Sequence, residues 1–287
     1  MRANVLLRAA VALLALLPGG CVTVTVQEDH FFYPGPAENP SPLNAEGAHI
    51  EPLSLMTDDG SQLAGVYVRQ PGAKYDVLYF GGNAARVDDY GRAVAREMSS
   101  LAANVVFFDY RGYGRSTGVP TINGLKRDAL AIFDDWAARA TGRPIVLHGF
   151  SLGSFMAAYV AEKRPVAGLI LESSAPDVAT WARNQIPFYA KPFVRLRIAP
   201  ALLEESNAER LRSYAGPLLL ITGQADPVTP PRFANELAAA SRSNAITVVI
   251  VPGATHGNVL SFGPALRAYA EFLASLPEGR GRPAQSQ

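Results

Sequence analysis

Apolar and polar positions along the 287-residue chain follow two alternating rhythms. Asp76–Phe80, Val105–Phe108, Ile145–Phe150, Ala167–Leu171, Pro217–Thr222 and Ile246–Val251 are mostly apolar runs, the pattern of strands buried on both faces. Between them apolar residues recur at three and four. Val87, Tyr90, Val94, Met98 and Leu101 mark one helical face, and Ile122, Leu125, Ala129, Phe133 and Trp136 another. Pro231 and Pro264 stand where the last two helices should open, a position that tolerates proline. Ahead of this series, Ile50–Thr57 and Leu63–Val68 flank Asp58-Asp59-Gly60, a hairpin signal. Strands alternating with amphipathic helices predict an α/β fold with a mostly parallel, doubly covered sheet. Right-handed crossovers then bring the C-terminal ends of the parallel strands to one edge.

Several stretches stand outside this alternation. Residues 173–213 carry Trp181, Ile186, Phe188, Tyr189, Phe193 and Ile198 among Arg183, Lys191, Arg195 and Arg197. They follow a strand end, and a long insertion there is expected to form a short helical lid over the catalytic edge. Its interleaved bases and aromatics also fit a surface that rests on anionic lipid. Residues 21–48 hold Tyr33-Pro34-Gly35-Pro36 and Asn39-Pro40-Ser41-Pro42 and read as an extended tether. The main domain then spans 49–276, and the tail over 277–287 reads as disordered.

At the start, Arg2 and Arg8 precede a run of about a dozen apolar residues, short of the roughly twenty that span a bilayer. This is the pattern of an export signal over residues 1–20. Leu17-Pro18-Gly19-Gly20-Cys21 resembles the lipobox of bacterial lipoproteins, with Pro18 where that family has an aliphatic residue. The resemblance implies a lipid anchor on Cys21. The mature protein would then be held on a membrane, facing the periplasm or the cell exterior.

Composition narrows the chemistry. A formal net charge of +1 gives no reason to expect nucleic acid as a partner. A single cysteine precludes an intramolecular disulfide. The four histidines, His30, His49, His148 and His256, are far apart and belong to no His-Glu-x-x-His motif. Neither a metal nor a cofactor is expected. Sequence-adjacent carboxylates such as Asp58-Asp59 and Asp134-Asp135 point away from one another and read as solvated surface.

What remains is a hydroxyl nucleophile. The run Ile145–Phe150 ends in Gly149-Phe150-Ser151-Leu152-Gly153, and a helical pattern begins at once. Strand, sharp turn and helix around Gly-x-Ser-x-Gly make a nucleophile elbow, which thrusts the serine hydroxyl clear of the sheet. Downstream, Asp226 follows one strand and His256 the last, the chain order this arrangement demands. Histidine can take the serine proton and pass it to a leaving group, and aspartate can hold the imidazole in the useful tautomer. Glu172 and Asp177, after the fourth strand, are rival acids. His148, inside an apolar strand, reads as a core histidine.

With these residues in place the chain resembles the α/β-hydrolase superfamily from about Ile50 to Leu276. More narrowly it resembles the abhydrolase or Bem46-like branch. That branch carries an HGNA-type loop, here Gly81-Gly82-Asn83-Ala84, and an Asp-Tyr-Arg-Gly loop, here Asp109 to Gly118. Gly81 replaces the usual histidine. The resemblance implies a serine hydrolase using Ser151, Asp226 and His256. The main-chain N–H groups of Asn83 and Leu152 are the expected oxyanion-hole donors. The expected substrate is a small acyl ester or thioester, and the apolar lid points to a lipid-like one. An aminopeptidase-like or haloperoxidase-like enzyme on the same residues is one alternative. A binding lipoprotein that keeps the fold without turnover is another.

Overall fold

The structure, a computed structural model, describes residues 21–40, 48–101, 103–139 and 142–277. The expected export signal over 1–20 and residues 278–287 of the expected tail lie outside the described residues.

The hairpin forms as β2 (His49–Met56) and β3 (Gln62–Arg69), paired antiparallel. Five apolar runs form β4 (Tyr75–Phe80), β5 (Ala103–Phe108), β6 (Ile145–Phe150), β7 (Gly168–Glu172) and β9 (Leu218–Gly223). The sixth is β10 (Ile246–Val251). One eight-stranded sheet results, in the order β10-β9-β7-β6-β4-β5-β3-β2, parallel from β10 through β5 and antiparallel only at the hairpin edge. Alternate residues along each strand face opposite layers. Val77, Val105 and Ile170 pack toward α2 (Val87–Met98) and α9 (Gly263–Ser275). Leu78, Val106 and Leu171 pack toward α3 (Ile122–Ala138), α4 (Leu152–Lys163) and α8 (Arg232–Ala240).

The helix after the serine is buried nearly all round. Its Gly153, Ser154, Ala157, Ala158 and Ala161 leave little side chain between the helix axis and the sheet. A Cβ on Gly153 would lie 2.0 Å from the Phe80 carbonyl oxygen, so α4 touches the main chain of β4 directly. Nearby, the Asp109–Gly118 loop is locked from within. Arg111 grips buried Asp128 through Nε at 2.7 Å and Nη2 at 2.6 Å, and reaches Asp59 at 2.8 Å. The bond to Asp128 holds the guanidinium above its ordinary pKa. Losing one partner of such a buried pair costs about 3–5 kcal/mol, so this loop is a fixed floor.

The insertion forms the expected short helical lid and adds a strand to it. It contains α5 (Val178–Gln185), a 3-10 turn (Lys191–Phe193), β8 (Val194–Ile198), α6 (Pro200–Leu203) and α7 (Asn207–Leu211). Val194, Leu196 and Ile198 turn inward while Arg195 and Arg197 face out, the period-two pattern of a strand.

The expected tether over 21–48 is corrected for its described part. Val22–Val26 is β1, paired in parallel with β8, and α1 (Glu28–Phe31) follows. The cause is again alternation: three valines face in and two threonines face out. Phe32 is 3% exposed, and Gly35 bonds to Gly112 and Gly114 on the Arg111 loop. The segment is therefore docked onto the domain, forming half of a two-stranded roof with the lid.

Candidate active site

The C-terminal ends of β6, β9 and β10 carry Ser151, Asp226 and His256 to one place. Ser151 sits in the turn with φ 52° and ψ −113°, a strained main-chain conformation for a residue with a side chain. It is held from both sides: its N–H donates to the Glu172 carbonyl at 2.9 Å, and its own carbonyl accepts from the Ser154 hydroxyl at 2.6 Å. A Cβ on Gly149 would meet the Gly153 carbonyl oxygen at 2.4 Å, so the elbow closes only with glycine there.

His256 Nε2 lies 3.0 Å from Ser151 Oγ, and Nδ1 lies 2.8 Å from Asp226 Oδ2. The carboxylate is buried and fully employed. Its Oδ1 accepts the main-chain N–H groups of Val228 at 2.8 Å and Thr229 at 2.9 Å, and its Oδ2 accepts the Thr229 hydroxyl at 2.7 Å. Burial by itself would raise the Asp226 carboxyl; the His256 bond and the Thr229 donors outweigh it and leave the carboxyl below its ordinary value. Asp226 is thus an anion at neutral pH, set to orient an imidazole and to stabilise an imidazolium. Thr229 was not anticipated. A threonine three residues after an aspartate, Asp226-Pro227-Val228-Thr229, is the signal of such a local side-chain turn.

The rival acids serve elsewhere. Glu172 lies 3.0 Å from Nε2 of buried His148, on the sheet face toward α2 and α9. Asp177 caps α5, accepting the Thr180 N–H at 2.6 Å. Neither bonds His256.

Both residues named for oxyanion binding line the cavity around Ser151. Leu152 is the first residue of α4, where the opening N–H groups have no acceptor within the helix. Asn83 lies in the loop after β4 and is tied down by its side chain. Its Oδ1 accepts from Tyr113 Oη at 2.8 Å and from the Tyr33 N–H at 3.3 Å, and its Nδ2 donates to the Phe31 carbonyl. The segment expected to be a tether therefore braces this loop, with Arg86 also bonding Tyr33 O at 3.1 Å and Gly35 O at 2.9 Å. At Gly81, where the family has histidine, a Cβ would fall 2.6 Å from Ala85 Cβ and 3.2 Å from Phe107. A side chain there has no room, and Tyr110 Oη instead bonds the Gly81 carbonyl at 2.8 Å.

Ser151 opens into a cavity of about 490 Å³. One arm runs under the roof between Val24, Val26, Phe31, Trp181, Ile186 and Leu196, all apolar. The other passes Phe150 toward α2 and meets Tyr79, Tyr90, Glu97 and Glu172. Among the described residues no group of His, Cys, Asp and Glu could hold a metal ion, and no helix is long and apolar enough to cross a membrane.

Residues 72–206 match the family model described as serine aminopeptidase, S33, and residues 200–277 that described as TAP-like protein. An uncharacterised protein of Mycobacterium tuberculosis is 32% identical over 258 residues, covering 86% of this chain and 87% of that one. Lysophosphatidylserine lipase ABHD12 of Rattus norvegicus is 34% identical over 184 residues, covering 58% of this chain and 46% of that one. In structure, the Pyrococcus furiosus esterase Pf2001 superposes with a TM-score of 0.68 at 18% identity, covering 85% of this chain and 97% of that one. Sequence matches that run from residue 72 to residue 277, joined to a shared fold, place this chain in the α/β-hydrolase superfamily, to which it belongs.

Proposed function

We propose that the chain is a serine hydrolase of carboxylic esters or thioesters, of the Bem46-like branch, working through an acyl-enzyme on Ser151. The observation that carries this is His256 standing between Ser151 Oγ at 3.0 Å and Asp226 Oδ2 at 2.8 Å. Ser151 Oγ attacks the substrate carbonyl carbon while its proton passes to His256 Nε2. The carbonyl oxygen, now negative, is held by the main-chain N–H groups of Asn83 and Leu152. Collapse expels the alcohol or thiol, which takes the proton from His256. Water then repeats the sequence, with His256 as base, and frees the acid. The apolar arm under the roof supports an acyl chain as the part bound there. The lipase named among the relatives supports a lipid-like substrate.

An activity-based test reads this directly. A fluorophosphonate probe should label the protein once per chain, on the peptide that contains Ser151. p-Nitrophenyl esters should turn over faster as the acyl chain lengthens enough to fill the roofed arm. Label on another residue, or none on folded protein, ends the proposal. The description of the matching family model favours one second reading, an aminopeptidase. Aminoacyl p-nitroanilides that outpace every ester would select it.

Anchoring through a lipidated Cys21, outside the cytoplasm, belongs to the same proposal. Exposed Cys21 directly precedes β1, and the register Val22 to Val194 sets it beside the roof's exposed Phe193. Phe188, 83% exposed, and Tyr189 lie on the same insertion with Lys191, Arg195 and Arg197. An anchor leaving there would press bases and aromatics onto the lipid surface. Radiolabelled fatty acid should enter the wild type and not Cys21→Ser; unlabelled wild type rejects the anchor.

A further inference from the structure

The second arm of the cavity has a chemistry that the proposed acyl transfer does not use. Glu172 is 5% exposed and lines the cavity. One carboxylate oxygen faces His148 Nε2 at 3.0 Å; among the described residues the other has no hydrogen-bond partner, and it is open to the cavity rather than sealed in the core. Tyr79 is 8% exposed, lines the same arm, and its hydroxyl bonds no described group. Glu97, from α2, accepts the Ser261 hydroxyl at 2.9 Å through Oε1 and pairs with no described cation. These three side chains approach one wall from β4, β7 and α2.

Holding two carboxylates as anions against one largely apolar cavity, with only His148 Nε2 and the Ser261 hydroxyl beside them, is costly because much of their hydration is lost. The two glutamates also repel each other across the arm, and burial pushes the Glu97 carboxyl up. A ligand that brings positive charge and N–H donors would relieve both. Val94, Leu260 and the Phe150 ring, which line the same arm, are apolar and suit a short alkyl stem.

We propose that this arm is a subsite for a primary ammonium group carried on the alcohol or thiol side of the substrate, bound by Glu172, Glu97 and the Tyr79 hydroxyl. It rests on the reading of Ser151 as the reacting centre, since that reading assigns the acyl chain to the roofed arm and leaves this one to the leaving group. The chemical class so selected is an amino-alcohol or amino-thiol ester, rather than an alkyl ester.

Binding without turnover tests the subsite separately from the catalytic reading. Ser151→Ala protein is titrated calorimetrically with n-hexylammonium, 1-hexanol and 1,2-hexanediol. The ammonium should bind about 10-fold more tightly than the alcohol, a difference of about 1.4 kcal/mol. Added to that background, Glu97→Gln and Glu172→Gln should each cut the preference to about 3-fold or less, with the hexanol affinity unmoved. Glu97→Gln keeps the bond to Ser261 and decides the matter if Glu172→Gln, which alters the buried His148 pair, fails to fold. Equal binding of ammonium and alcohol overturns the proposal. So does a preference that survives both substitutions, or a diol that binds as tightly as the ammonium. Fluorophosphonate labelling of the wild type is untouched by any of these results.

Discussion

Asp226→Asn should lower kcat by about 10⁴-fold while the protein keeps its fold, an effect of the size expected when an imidazole is fixed in the wrong tautomer. The reason lies in which atoms the local turn dictates. Val228 and Thr229 both present main-chain N–H groups to Oδ1, so an asparagine places its carbonyl oxygen there and its NH₂ where Oδ2 was. That NH₂ then faces His256 Nδ1 as a donor. The ring must accept, its proton moves to Nε2, and Nε2 can no longer take the proton of Ser151 Oγ at 3.0 Å. Fluorophosphonate labelling should slow with kcat, and the thermal midpoint should move little because every turn hydrogen bond to Oδ1 survives. Near wild-type turnover in a well-folded Asp226→Asn protein would show that this carboxylate does not set the tautomer.

Gly153→Ala should cost folding itself, at about 4–5 kcal/mol or more, in the range reached only by a few mechanisms such as overpacking a rigid core. The atoms a methyl group would meet are main chain: the Phe80 carbonyl oxygen at 2.0 Å, its carbon at 2.4 Å, and the Gly81 oxygen at 2.6 Å. None can rotate away. Relief requires lifting α4 off β4, which removes the elbow's support and separates Ser151 from the Gly81–Ala84 loop. Little soluble protein should be recovered, and a denaturant titration of what is recovered should show a sharply lower midpoint. Gly263→Ala is the control, because its Cβ would meet only the end of the Arg267 side chain at 3.5 Å. That change should stay within about 0.5 kcal/mol. A Gly153→Ala protein as stable as this control would mean that helix and strand do not touch as described.

The same contacts explain what the sequence made legible. Long apolar runs and three-four periodicity are strong signals because each reflects burial along a whole element. The sheet, its flanking helices and the positions of Ser151, Asp226 and His256 at strand ends were readable on that basis. Short elements were harder. Val22-Thr23-Val24-Thr25-Val26 alternates cleanly, yet prolines close behind it made the stretch look like a linker, and its partner strand lies far downstream. Val194 to Ile198 alternates in the same way but is crowded by arginines and aromatics, which suggested a helix. Pairings across the fold left no local trace at all. Nothing near Glu172 in sequence indicates that it will meet His148, or that Asn83 will be braced by Phe31 and Tyr33.

The parallel pairing of β1 with β8 has a mechanical consequence. Traction on the chain ahead of Val22 is delivered to the cover of the cavity at Ser151, through a strand that also supplies Val24 and Val26 to its ceiling. The same stretch continues into Phe31 and Tyr33, which hold Asn83, so one link couples the chain at Val22 to both the ceiling and the Asn83 loop. A bulky fusion placed close upstream of Val22 would load that link, whereas one carried beyond Pro277 would leave it slack.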